Sequence, residues 1–200
     1  MDVFTNPTNF SYNYFLAIEN DMEKMSRFVE FDEANHKTYS IELARILFAA
    51  SAEVELVAKD ICNLLKYPLP QNASINDWKK GLKPIIPALS QESVFIPKYG
   101  LTIATPFEKF TGNGYPDWWK GYNRVKHSRN HAYGDANLKN ALLSLGGLLI
   151  LIFYQERITR STLPLHILLD RLQPAPSLFR FNPDYYVVPT FDTGAPSTGL

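Results

Sequence analysis

The chain has almost no sulfur chemistry to offer. Cys62 is its single cysteine, so no intramolecular disulfide framework exists. It falls inside an expected helix, where a buried and inert thiol is the natural reading. Charge of one sign is also missing: 20 Lys+Arg balance 20 Asp+Glu. No whole-molecule field therefore draws the protein to nucleic acid or to an acidic membrane, and any site for a polyanion has to be local. Long hydrophobic runs are absent too. The most apolar stretch, Ala141 to Tyr154, has 14 residues, short of the roughly 20 that cross a bilayer. Asn140 precedes it and Gln155-Glu156-Arg157 follow, which marks a buried core helix. The first residues, Met1 to Pro7, show no basic segment followed by an apolar run, so no signal peptide, no membrane partner and a cytoplasmic location are expected. The sequence has no phosphate loop, no Gly-x-Gly-x-x-Gly, no paired cysteines and no serine-hydrolase elbow, and no cofactor is expected.

What is present is ordinary globular material. Of 200 residues, 46% are hydrophobic and 20% charged, enough to bury a core without metals or cross-links. Aromatics are plentiful, at 14%. Many of them (Phe10, Tyr12, Tyr14, Tyr115, Trp118, Trp119, Tyr185, Tyr186) stand near expected loops, as rings that pin irregular chain to a core.

Apolar spacing predicts helices. Phe15, Ile18, Met22, Met25 and Val29 follow steps of three and four, giving a helix over residues 14–30. Ser40 reads as an N-cap for a central helix reaching about Lys66, ended by Pro68 and Pro70, with a surface pair between Glu55 and Lys59. Residues 74–89 read as a shorter helix broken or kinked by Pro84 and Pro87. Val94-Phe95-Ile96 and Leu101-Thr102-Ile103, around Lys98-Tyr99-Gly100, predict a hairpin. Pro116 opens a helix reaching about Asn130, and a break near Tyr133-Gly134 precedes a long helix over residues 135–158. There, Gly146-Gly147 suggest close approach of a neighbouring helix. A short helix over residues 162–172 comes last. Residues 178–181 and 185–188 look extended, and 193–200 tail-like. The expected fold is mainly α: a bundle of about five to six helices over residues 1–172, a small β-hairpin insertion near 93–110, and an extended C-terminal arm over 173–200.

One stretch is chemically loaded. From Trp118 to His131 it carries Lys120, Arg124, Lys126 and Arg129 among the twenty Lys+Arg, and two of the four histidines. No acid lies between Asp117 and Asp135. On a continuous helix Asn123, His127 and Asn130 or His131 share a face, Lys120 and Arg124 flank it, and Lys126 and Arg129 form an i,i+3 pair. An imidazole among cations suits phosphodiester chemistry, because it exchanges protons near neutral pH while the cations stabilise charge on phosphate oxygens. RNA supplies its own nucleophile, the 2′-hydroxyl, so no metal is required.

The pattern Tyr122-Asn123-x-x-Lys126-His127-x-Arg129, just before a long apolar helix, resembles the HEPN superfamily. Its members are small helical bundles, many of them metal-independent ribonucleases of toxin–antitoxin, phage-defence and RNA-processing systems. Their signature is an arginine followed after a few residues by a histidine; here Arg124 and His131 have six residues between them, and Val125 stands where a polar residue is usual. The resemblance implies an RNA partner and a homodimer with a composite site. In it His127, His131 and Arg124 are the catalytic candidates, and Asn123, Lys126, Arg129 and Lys120 the phosphate- or RNA-binding ones. Two other readings stay open. The same residues could be tied up internally, with His127 bonded to Glu53 or Glu55, in a non-catalytic interaction protein. His127 and His131 also stand at i,i+4, as in zinc-binding helices, with Asp117 or Asp135 as conceivable third ligands. Ser128 occupies the place of the glutamate that makes that pattern specific, and no metal is expected. Trp118 and Trp119 could stack bases or, more plainly, anchor the helix start.

Overall fold

A computed structural model describes residues 10–103 and 105–186. It is mainly helical, with seven α-helices and one two-stranded hairpin among the described residues. The helices are α1 (Phe10–Met25), α2 (Ile41–Leu64), α3 (Ile75–Gly81), α4 (Ile86–Leu89), α5 (Asp117–Ala132), α6 (Leu138–Thr159) and α7 (Leu165–Asp170). The strands are β1 (Val94–Ile96) and β2 (Leu101–Ile103). The expectation of a helical bundle with a hairpin insertion holds. The proline-rich segment 74–89 yields two short helices in place of one, which accounts for the higher helix count.

The bundle is built on α2 and α6. Ser40 caps α2 as expected, its hydroxyl accepting from the Leu43 amide at 3.1 Å. Leu43, Ile46, Leu47, Ala50, Val54, Val57 and Ile61 then form one buried face. Helix α6 is apolar all round and is placed accordingly. From Asn140 to Tyr154 every residue is buried except Leu143, which is half-buried. By length and composition alone α6 could cross a membrane; here it is the core around which the other elements pack.

Helix α1 lays Phe15, Ile18, Met22 and Met25 on that pair. It ends at Met25, short of the expected residue 30. Turns carry the chain on from Met25, and Val29, the next residue of the apolar rhythm, still packs half-buried against the core, while Phe28 is 80% exposed. Phe10 and Tyr14 are exposed too and join no core cluster among the described residues.

The hairpin pairs Val94 with Ile103, Phe95 with Thr102 and Ile96 with Leu101, and turns through Pro97–Gly100, with Gly100 at φ +61°. The Gly146-Gly147 pair of α6 faces this part of the molecule. A Cβ on Gly146 would come within 2.7 Å of Val94 Cγ2, and one on Gly147 would touch the Phe107 ring at 3.4 Å. What approaches α6 closely at these two glycines is therefore a strand and irregular chain, not a helix.

Residues 173–186, read as part of an extended arm, lie against the bundle. Leu178, Phe179 and Phe181 are buried. Phe95 and Arg180 exchange both backbone hydrogen bonds, at 2.7 and 2.8 Å. That is a single bridge and not a strand, and residues 183–186 form a 3₁₀ turn. The extended stretch expected at 187–188 and the tail at 193–200 lie outside the described residues.

Candidate functional site

Aromatic packing sets the start of α5. Trp118 is buried, with its indole N–H donating to the Pro106 carbonyl at 2.8 Å. The Trp119 ring meets Trp78 of α3 edge-on at 5.4 Å and also packs on Tyr122, which in turn meets Phe48 of α2. Both tryptophans are thus anchors, and neither offers a face for base stacking. Gly121 permits the close approach to α6: a Cβ there would fall 2.6 Å from the Asn140 side-chain nitrogen. That amide donates to the Asp135 carbonyl oxygen at 2.8 Å. Val125, Ala44 and Ala136 complete a small apolar cluster between α5, α2 and the turn that follows α5.

The anchored half of α5 then presents its polar residues in two groups. Lys120 and Arg124 are paired with carboxylates. Asp117 accepts from Lys109 at 2.5 Å and from Lys120 at 3.4 Å. The hydrogen bond from Lys109 is the main reason the Asp117 carboxyl stays charged to lower pH than an ordinary aspartate. Asp135 takes the Arg124 guanidinium in a two-point pair, at 2.6 Å to Nε and 2.9 Å to Nη2. Arg124 remains 56% exposed, so this pair contributes at most about 1 kcal/mol to stability. Its effect is directional: it ties the end of α5 to the turn that opens α6.

The second group is in solvent. Lys126, His127, Arg129, Asn130 and His131 are all exposed. Neither His127 nor His131 has a hydrogen bond or ion pair among the described residues. Lys126 lies over the Tyr122 ring at 5.4 Å, and Arg129 over the Phe48 ring at 5.8 Å. Among the described residues neither cation meets a carboxylate. Asn123 is turned inward, its amide donating to the Trp119 carbonyl at 3.0 Å. Glu55, one of the acids considered as a partner for His127, is engaged by Lys59 at 2.6 Å, the i,i+4 pair expected from the sequence.

One geometric expectation fails. Ser128 has φ −147° and ψ 48°, which breaks α5. His131 and Arg129 therefore do not continue the faces extrapolated from Asn123, His127 and Lys126. The break follows from composition. Ser128 and Asn130 are weak helix formers, and from Lys126 to His131 no side chain is buried to hold the helix in register. The i,i+4 relation between His127 and His131 is lost with it. Among the described residues no three His, Cys, Asp or Glu side chains gather as a metal would need.

Sequence reasoning did not find the Asp135 partner of Arg124, nor the inward turn of Asn123. Asp135 is the first acid after the basic stretch, and that position was the available signal. Compared with protein-family models, curated proteins and solved structures, the chain matches none.

Proposed function

We propose that this is a HEPN-like, RNA-directed protein whose exposed α5 end contacts the phosphate backbone, and that His127 there drives metal-independent strand cleavage. The observation that carries the reading is an imidazole in solvent with no internal partner, beside two cations that no described carboxylate neutralises.

In this reading Lys126 and Arg129 hold phosphate. Asn123, bonded to the helix backbone, braces α5. Lys120 and Arg124, paired to Asp117 and Asp135, orient the helix end and contribute field more than direct contact. His127 takes the proton of a 2′-hydroxyl. The O2′ oxygen forms a bond to phosphorus, the P–O5′ bond breaks, and O5′ takes a proton from a second acid, for which His131 is the available imidazole. The products are a 2′,3′-cyclic phosphate and a 5′-hydroxyl. The α5 end is an open surface in one copy. A homodimer that faces two such ends supplies the walls a cleavage site needs.

Incubation of the pure protein with mixed RNA in chelator tests this. Cleavage leaving cyclic phosphate ends is expected, with His127→Ala slower by about 100-fold or more. Lys126→Ala and Arg129→Ala should each weaken RNA binding and lower the salt dependence by about one counterion. Absence of cleavage, with His127→Ala binding RNA as the parent does, would remove the enzymatic reading. The Arg124–Asp135 pair favours a second reading, in which the motif is structural and the chain is a non-catalytic interaction protein. Loss of RNA binding altogether would leave that one standing.

A further inference from the structure

The densest unused cluster of positive charge is on α3, away from the α5 end. Lys79 and Lys80 close that helix and Lys83 follows it. All three line a cleft of about 710 Å³ between α3, α4 and the loop from Phe110 to Tyr115. In a chain with zero net charge, no aspartate or glutamate is among its lining residues. Asp77, on the same helix, turns its carboxylate to the Ser74 amide and hydroxyl, at 2.9 and 2.8 Å. The ammonium groups of Lys80 and Lys83 are exposed and make no ion pair among the described residues.

Lys79 differs from the other two. Its ammonium sits over the Phe110 ring at 4.7 Å and the Tyr115 ring at 4.9 Å, and donates to the Gly114 carbonyl oxygen. Partial burial lowers its pKa. It fixes the loop wall of the cleft, and the Tyr115 hydroxyl adds a hydrogen bond to the Asn76 side-chain oxygen on α3. Phe110 is fully buried beneath, and Tyr115, Ile86 and Pro87 give the cleft an apolar surface.

We infer that this cleft is a binding site for a small phosphate monoester with a flat apolar body. The volume falls within the range of small-molecule sites, and an apolar lining with a few convergent charges is their usual make-up. All three cations are lysines. Lysine meets phosphate as a compact point charge, whereas a planar carboxylate is better matched by the arginine fork, which the cleft lacks. Two exposed ammonium groups answer a dianion; Asp77, the acid that Lys80 senses at a distance, is already bonded to the Ser74 amide and hydroxyl and forms no ion pair with it. The flat body lies on Tyr115, Ile86 and Pro87. The inference is independent of the reading of α5.

Titration calorimetry with 1-naphthyl phosphate tests it, alongside 1-naphthol, which lacks the charge, and inorganic phosphate, which lacks the body. The ester should bind about tenfold or more tighter than either fragment, a difference of about 1.4 kcal/mol. The double variant Lys80→Ala/Lys83→Ala changes two exposed side chains. It should keep the parent melting temperature, weaken the ester by about tenfold, and leave naphthol unchanged. The proposal is overturned by no ester binding up to millimolar concentration, by phosphate alone binding as well as the ester, or by an ester affinity that the double variant does not alter.

Discussion

Glu19 sits on the buried face of α1 and is 1% exposed, the one fully buried charged side chain among the described residues. Its two oxygens accept the backbone amides of Ser177, Leu178 and Phe179 at 2.8, 2.9 and 3.0 Å. A carboxylate fits there because three N–H groups point at it and, among the described residues, no other acceptor is bonded to them. Glu19→Ala would leave those donors unpaired at the edge of the core, at a cost of about 3–5 kcal/mol. For a chain of this size that lowers the melting temperature by roughly 10 °C. Glu19→Gln keeps one acceptor oxygen and should lose about half as much. Thermal unfolding of the two variants checks the order, and an alanine variant within 1 °C of the parent would contradict it. At this scale the sequence is half legible. Residue types on α1 could be read from spacing, yet the partners of Glu19 lie 158 to 160 positions away, and no local pattern encodes them. The same holds for Arg124. Its charge was visible in the sequence; its engagement by Asp135 depends on how the turn after α5 folds back.

Elements were more legible than partners. Ser40 as the cap of α2, the break after Tyr133, the hairpin and the buried course of α6 all follow from periodicity and punctuation. Expectation failed at two helix ends: α1 gives way to turns after Met25 although Val29 still packs on the core, and α5 breaks at Ser128 once nothing apolar anchors it. The glycine pair of α6 gives a test of packing against propensity. Alanine in a helix interior gains about 1 kcal/mol over glycine. At Gly147 the new methyl group meets Phe107 and Pro106 at 3.4 Å, ordinary contact, so Gly147→Ala should be neutral or stabilising by up to about 1 kcal/mol. At Gly146 the methyl would stand 2.7 Å from Val94 Cγ2, on a short, branched and fully buried side chain. Overpacking of that kind costs about 1–3 kcal/mol and exceeds the gain. Gly146→Ala should therefore destabilise while its neighbour does not. Chemical denaturation of both variants checks the sign, and equal effects at the two positions would contradict this packing of hairpin on helix.

At the scale of the molecule, the chain closes on itself near its C-terminal end. The core formed by α1, α2 and α6 is not sealed by helices alone. Leu178, Phe179 and Phe181 are 1%, 0% and 2% exposed, and the Phe181 ring packs at a tilt on Phe153 of α6, with centroids 4.8 Å apart. The Tyr12 hydroxyl donates to the carbonyls of Leu172 and Pro174, Glu19 holds the next amides, and the Arg180 backbone adds to β1. Each of the three large apolar side chains contributes roughly 2–3 kcal/mol by its burial. With the Glu19 contacts the sum is on the order of 10 kcal/mol, comparable to the whole stability of a domain. A chain ending at residue 176 keeps every α-helix but loses that seal. It should retain helical far-ultraviolet circular dichroism while losing its near-ultraviolet signal and cooperative melting, the signature of a collapsed state without fixed packing. If residues 1–176 instead melted cooperatively near the parent temperature, residues 177–186 would be an appendage on a self-sufficient bundle, and the closure argued from Glu19 would have no energetic weight.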